Sequence, residues 1–189
     1  APNFLDIPIV KKNFSFPVIS QHVDDVEEGR FTGAIPFESI KEYNIDGSLL
    51  NHSEKKLPLR KIEKTIRLAK RYRIKIFALA SKIKEAEKIS KFVPYSISYE
   101  PPELIGTGKS VSKYKAKDLL EFYEKMKEKE IVKMCGAGIS NKEDVEAALK
   151  MGLDGVLIAS AFVFSKNKEK FLKDIIDVFQ TFDRRFPRL

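Results

Sequence analysis

The stretch Lys75–Tyr99, KIFALASKIKEAEKISKFVPYSISY, decides the fold. Its apolar periodicity reads as a strand over Lys75–Leu79, a helix over Ile83–Phe92 and a second strand over Ser96–Tyr99. Two strands joined by a single helix pair in parallel, because a parallel connection needs a crossover of about a dozen residues or more. The same unit extends in both directions. Upstream lie a strand at Val18–Gln21, a helix at Ser39–Tyr43, a strand at Gly47–Leu50 and a helix at Leu59–Tyr72. Downstream lie a helix at Ala116–Lys129, a strand at Ile131–Met134, a helix at Lys142–Met151, a strand at Gly155–Ile158 and a helix at Lys168–Phe179. Ser140 or Asn141 can cap the helix that carries Glu143 and Asp144 in its first turn, and Gly152 follows its end.

This alternation makes the class α/β, with an open doubly wound sheet and a closed (β/α)8 barrel as the two architectures. No dinucleotide fingerprint opens the chain, and the polar and glycine-rich residues gather just after strands, where barrels carry their chemistry, so the barrel is preferred. About six strands are visible where a barrel has eight, which predicts an incomplete barrel. One domain is expected over residues 1–182, with 183–189 as a short basic extension.

The composition is compatible with one sizeable core: 189 residues, 43% hydrophobic and 33% charged. A single cysteine excludes an internal disulfide and favours a reducing compartment, so the cytoplasm is the expected location. The longest apolar runs, such as Gly155–Ala161, are far too short for a membrane span, and no export signal opens the chain. The net charge of +8 and pI near 9.4 raise nucleic acid or a small anion as a partner. Most of the excess is lysine interleaved with glutamate on amphipathic helices, which favours a salt-bridged surface over a nucleic-acid patch.

Three post-strand segments can carry chemistry. Asn51-His52-Ser53-Glu54 puts an imidazole at the carboxyl end of a strand, where it serves either catalysis or loop capping. A helix N-terminus there would depress its pKa, leaving a neutral ring that still donates a hydrogen bond. Glu100 precedes Pro101-Pro102-Glu103-Leu104-Ile105-Gly106-Thr107-Gly108, stiff at one end and permissive at the other, as a hinged lid would be. A carboxylate beside a water-excluding lid suits a general base, although a surface glutamate before a proline turn reads the same way; Glu103, within the lid, suits the role less. Gly136-Ala137-Gly138 and Ala159-Ser160 follow the last two strands, where backbone N–H groups can hold a phosphate. Cys135 reads as a buried structural thiol, His22 as either a ligand-facing or a loop-bonding histidine, and no metal-ligand spacing is present.

In this order, Gln21-His22-Val23-Asp24, Phe31-Thr32-Gly33, Leu49–Glu54, Tyr99–Gly108, Cys135–Ser140 and Gly155–Ser160 resemble the triosephosphate isomerase family, specifically its short archaeal form. The resemblance covers nearly the whole chain up to the last helix. It implies a TIM barrel, a small phosphorylated triose as substrate, and no metal or organic cofactor. Glu100 becomes the base that moves a proton between two carbons, and His52 the electrophile at the carbonyl oxygen. Ile105, Gly138, Ala159 and Ser160 match phosphate-gripping backbone positions. Thr32 matches a loop tip that reaches into a neighbouring subunit, so a homodimer or homotetramer is implied, with neither nucleic acid nor membrane as a partner. The family's first strand, ending in an Asn-Phe-Lys type motif, has no counterpart here, and Ala1-Pro2 resembles the end of its second strand. The chain therefore reads as truncated by a βαβ unit on the order of 30 residues, with little or no activity of its own and with Glu54, the usual partner of that lysine, unpaired or rewired. Lys11 and Lys12, on a helix after Ala1-Pro2, do not replace the lysine. Another phosphate-binding barrel enzyme, or a basic nucleic-acid-binding domain, is the alternative reading.

Overall fold

The computed structural model describes residues 1–185. Six strands, β1 (Ile19–Ser20), β2 (Gly47–Leu50), β3 (Lys75–Ala80), β4 (Ser96–Tyr99), β5 (Val132–Cys135) and β6 (Gly155–Val156), form one sheet in which each is hydrogen-bonded to the next in chain order. Every pairing is parallel. A doubly wound sheet reverses its order at a switch point, whereas this one never does. With right-handed crossovers, that progression sets the connecting helices on one face, as in a barrel wall. The expected incomplete TIM barrel is thus borne out as a half-barrel of parallel strands.

The helices are α1 (Ile7–Asn13), α2 (Phe37–Glu42), α3 (Leu59–Tyr72), α4 (Ile83–Ser90), α5 (Val111–Tyr114), α6 (Ala116–Met126), α7 (Lys142–Lys150), α8 (Ser160–Val163) and α9 (Lys168–Arg185). They pack along the wall as α2 on α3, α3 on α4, α4 on α6 and α7 on α9. The core lies between this layer and the sheet. Leu50, Ala78, Ile97, Tyr99 and Cys135 join Ile62, Ile66, Ala86, Ile89, Leu119, Phe122 and Val145 in one buried cluster. Tyr99 stacks on Phe122 at 5.8 Å, so Ile97, two residues away, also faces the helices, while Ser96 and Ser98 face the other side of the sheet. Phe122 is fully buried, and Phe122→Ala should cost about 3–5 kcal/mol.

Several boundaries differ from expectation. The first strand shrinks to Ile19–Ser20 because Val18 is tied to the loop before β2, its N–H donating to Asp46 Oδ2 at 2.7 Å. The helix expected over Ala116–Lys129 ends at Met126 and is preceded by α5, the two separated by Lys115 at φ −131°. The last helix runs past Phe179 because Phe171, Ile175, Val178 and Phe182 continue one apolar stripe. Residues 183–185 of the expected extension are therefore helical, and 186–189 lie outside the described residues. At α7, Asn141 is the cap, its side chain accepting the Asp144 N–H at 2.9 Å, and Gly152 follows at φ +90°.

The lysine-rich helices carry paired charges: Lys125–Glu87, Lys127–Glu124, Lys150–Glu146, Lys170–Asp174 and Lys173–Glu169 lie within 2.7–3.5 Å. Among the described residues, no helix is long and apolar enough to cross a membrane.

Candidate active site

The segments following β2, β4, β5 and β6 carry the expected catalytic and phosphate residues, and the fold brings His52 and Glu100 into contact. Leaving β2, Asn51 turns the chain through the left-handed region at φ +64°, and His52 caps the short 3-10 turn Ser53–Lys55. Its Nδ1 accepts the Glu54 N–H at 3.3 Å, which assigns the ring proton of the neutral form to Nε2. Nε2 lies 3.2 Å from Oε2 of Glu100, just past the end of β4. The contact is close but poorly aligned, so no donor meets Oε2 squarely. The direct side-chain contact with Glu100 still dominates: it raises the His52 pKa above its ordinary value, against burial, with the Glu100 and Glu54 charges adding to the rise. This corrects the expectation of a depressed value. A single 3-10 turn supplies only a weak positive end, whereas the carboxylate touches the ring.

Glu100 is buried at 8% exposure, its N–H donating to Ala80 of the neighbouring strand β3 at 2.9 Å. On the β5 side its carboxylate lies against Gly136, where any Cβ would overlap Oε1. The same hypothetical Cβ would sit 3.3 Å from Leu157 Cβ, so the loops after β5 and β6 meet beside Glu100. Cys135 is fully buried on the helix side, and burial, with the Glu100 charge behind it, pushes its thiol well above the usual range. That accords with a structural thiol.

The segment after Glu100 has the graded stiffness expected of a lid. Pro102–Leu104 forms a 3-10 turn with Leu104 buried, while Gly106 and Gly108 adopt φ +71° and +70°. Ile105 follows that turn, its N–H donating to the Pro102 carbonyl at 3.1 Å. The far end of the segment rests on the β5 loop: Val111 N–H donates to Ala137 O at 3.2 Å, and a Cβ at Gly138, itself at φ +71°, would overlap the Lys109 carbonyl. Ala159 and Ser160 are exposed at the start of α8, whose first N–H groups, as at any helix start, lack intrahelical partners.

Glu54 has a side chain 85% exposed, with Oε2 3.3 Å from His52 Nδ1. Thr32 sits exposed in a turn closed by Ala34 N–H donating to Phe31 O at 3.0 Å, with Phe31 half-exposed beside it. His22 belongs to a different arrangement. It is buried beside Asp24, Nε2 to Oδ1 at 3.1 Å, while the other Asp24 oxygen accepts the Ile35 N–H at 2.8 Å. Burial lowers its pKa, only partly opposed by Asp24. It holds a loop together.

Sequence reasoning missed the support beneath His52. The Asn51 amide donates to Leu79 O at 2.8 Å and to Glu85 Oε1 at 2.9 Å, and its Oδ1 accepts the Leu57 N–H at 2.9 Å. Glu85 also accepts from Lys56 Nζ at 2.7 and 2.8 Å and from the Ser81 N–H at 2.8 Å. An asparagine directly after an apolar strand was the one available signal, since Asn tolerates positive φ better than other side chains. Glu85 reads from sequence as one more glutamate on a charged helix face.

Residues 1–178 match the family model described as triosephosphate isomerase. The chain is 39% identical over 178 residues to the triosephosphate isomerase of Methanocaldococcus jannaschii, covering 93% of this chain and 81% of the relative. The Methanobrevibacter smithii protein of the same name is 38% identical, and that of Methanothermus fervidus 35%, each over 93% of this chain and 80% of the relative.

Proposed function

Given that this chain belongs to the triosephosphate isomerase family, we propose that its reaction, the interconversion of dihydroxyacetone phosphate and glyceraldehyde 3-phosphate, runs on Glu100 and His52. The observation that carries this reading is the 3.2 Å approach of a buried carboxylate to the Nε2 of a backbone-anchored imidazole at the ends of two different strands. Glu100 removes a proton from the carbon next to the carbonyl. The C–H electron pair becomes the C=C bond of an enediolate, and the carbonyl oxygen takes up the negative charge. His52 donates its Nε2–H to that oxygen, and Glu100 returns the proton to the adjacent carbon while the hydroxyl proton changes oxygen. Nothing is gained or lost, as an isomerisation requires.

A proton on Nε2 and a lone pair on Nδ1 are what this role demands, and the Glu54 N–H supports that tautomer. Ile105, Gly138, Ala159 and Ser160 are assigned to the phosphate. The close backbone packing at Gly138 and the start of α8 at Ala159-Ser160 are consistent with donors gathered from two neighbouring loops. The segment 101–108 would close over the substrate and keep water from the enediolate. The protein is assigned to the cytoplasm and to a homodimer or homotetramer, with Thr32 at the subunit contact; the exposed Phe31 beside it favours such a use.

The test is Glu100→Gln. Turnover should fall by roughly 10³-fold, while a phosphorylated substrate analogue still binds. Unimpaired turnover would remove the assignment.

A further inference from the structure

His52 is held by more than its own turn. The chain leaves β2 through Asn51, a buried residue at 1% exposure in a backbone region that glycine enters more easily. If backbone freedom were all that the position required, glycine would serve. Asparagine adds an amide, and the polar capacity used by that amide reaches three places: the Leu79 carbonyl within β3, the α4 carboxylate of Glu85, and the N–H of Leu57 at the far end of the loop that bears the imidazole. The loop is therefore tied at its first residue and again six residues on, both times through one side chain. Glu85 in turn is anchored by the Ser81 N–H and by Lys56, within the same loop.

We infer that Asn51 is a positioning residue for His52: its amide binds the 52–57 loop to the neighbouring βα unit, so that Nδ1 stays under the Glu54 N–H and Nε2 presents its proton toward Glu100. The kinetic consequence rests on the isomerase reading, but the geometric one does not. A loop tied at both ends leaves the ring one orientation, and a ring displaced by about 1 Å can lose a hundredfold in rate. Freed of the tie, the ring can rotate away from the Glu54 N–H, after which either nitrogen can carry the proton.

Asn51→Gly keeps the backbone conformation and removes the amide. Its kcat should fall tenfold or more with KM within about twofold, and 15N NMR of the imidazole should change from one tautomer, protonated on Nε2, to a mixture. Asn51→Asp replaces both donors by an acceptor facing Leu79 O and Glu85, and should be worse; adding Glu85→Gln restores one donor–acceptor pair and should recover part of the loss. Glu85→Ala tests the same tie from α4 and should lower kcat in the same direction by less, which keeps the inference testable if an Asn51 variant folds poorly. Asn44→Gly is the control, an exposed asparagine at φ +50° whose replacement should leave kcat and the imidazole spectrum unchanged. Wild-type kcat together with an unchanged tautomer in Asn51→Gly overturns the inference. So does a loss that appears equally in Asn44→Gly. If Glu100→Gln leaves isomerase turnover unimpaired, the functional reading fails, and the imidazole spectra alone decide the positioning role.

Discussion

Two histidines follow two neighbouring strands, His22 after β1 and His52 after β2, and each has a carboxylate within hydrogen-bonding distance, yet their protonation is pulled in opposite directions. His22 is 7% exposed at its side chain, and its partner Asp24 already serves the Ile35 N–H, so burial wins and the neutral ring is favoured. His52 is 27% exposed, and the Glu100 oxygen facing it is not met squarely by any other donor, so the side-chain contact with Glu100 wins over burial. A carboxylate beside a histidine thus does not by itself make a catalytic pair. What matters is whether the carboxylate's capacity is already used in holding a loop, and whether the ring remains reachable.

The sharpest way to break this contrast is to remove each ring. His52→Gln should lower kcat by roughly 10²–10³-fold with little change in the denaturation midpoint, since it removes the proposed transition-state donor. His22→Gln should leave kcat within a few fold but destabilise the fold by about 1 kcal/mol, because it removes a buried hydrogen bond. Steady-state kinetics and urea denaturation on both variants would exchange the two roles if the results were reversed.

The next effect is on pH. NMR titration should place His52 above the unperturbed value of about 6.5 and His22 below it. The stability consequences have opposite signs. His52, with a raised folded pKa, contributes stability that is full below about 6.5 and lost as pH rises through its folded pKa. His22, with a lowered folded pKa, contributes stability that is present above about 6.5 and lost as pH falls through its folded pKa. Relative to wild type, the melting temperature across pH 5–8 should therefore gain toward acid in His22→Gln and lose toward acid in His52→Gln. The proposed mechanism uses the neutral His52 ring, so kcat/KM should also decline on the acid side with a midpoint above 6.5.

The smallest effect calibrates the rest. Val93 holds φ +53°, an unfavourable conformation for a β-branched residue, in the loop before β4 and on the opposite side of that strand's sequence from Glu100. Val93→Gly should stabilise the protein by about 1 kcal/mol and leave kcat unchanged. A change in kcat would mean that stability and activity are coupled here, weakening the separation drawn between the two histidines.

The sheet was legible because its evidence is periodic. Lys75–Tyr99 alternates strand, helix and strand with side chains whose burial follows, and Leu50, Ile97 and Phe122 lie in the core as that pattern requires. His52 and Glu100 were legible because each is a chemically distinctive residue at a strand end. The support was not. Asn51 and Glu85 are thirty-four residues apart, and their contact depends on the register of β2 against β3, which a sequence pattern does not contain. The His52 pKa was misread for a similar reason: its direction is set by a carboxylate two strands away, beyond the turn on which the ring sits.

Gly136 carries a last consequence. The Glu100 carboxylate is bounded on one side by the bare α-carbon of Gly136, with less room between the two than a methyl group needs. In a saturation library at this codon, alanine, the mildest replacement, should already behave as severely as a charged residue, because the first added carbon evicts the base and further atoms add little. Position 136 should therefore act as a threshold and not a gradient, a fitness profile unlike that of the larger core residues around it, where loss grows with each atom removed.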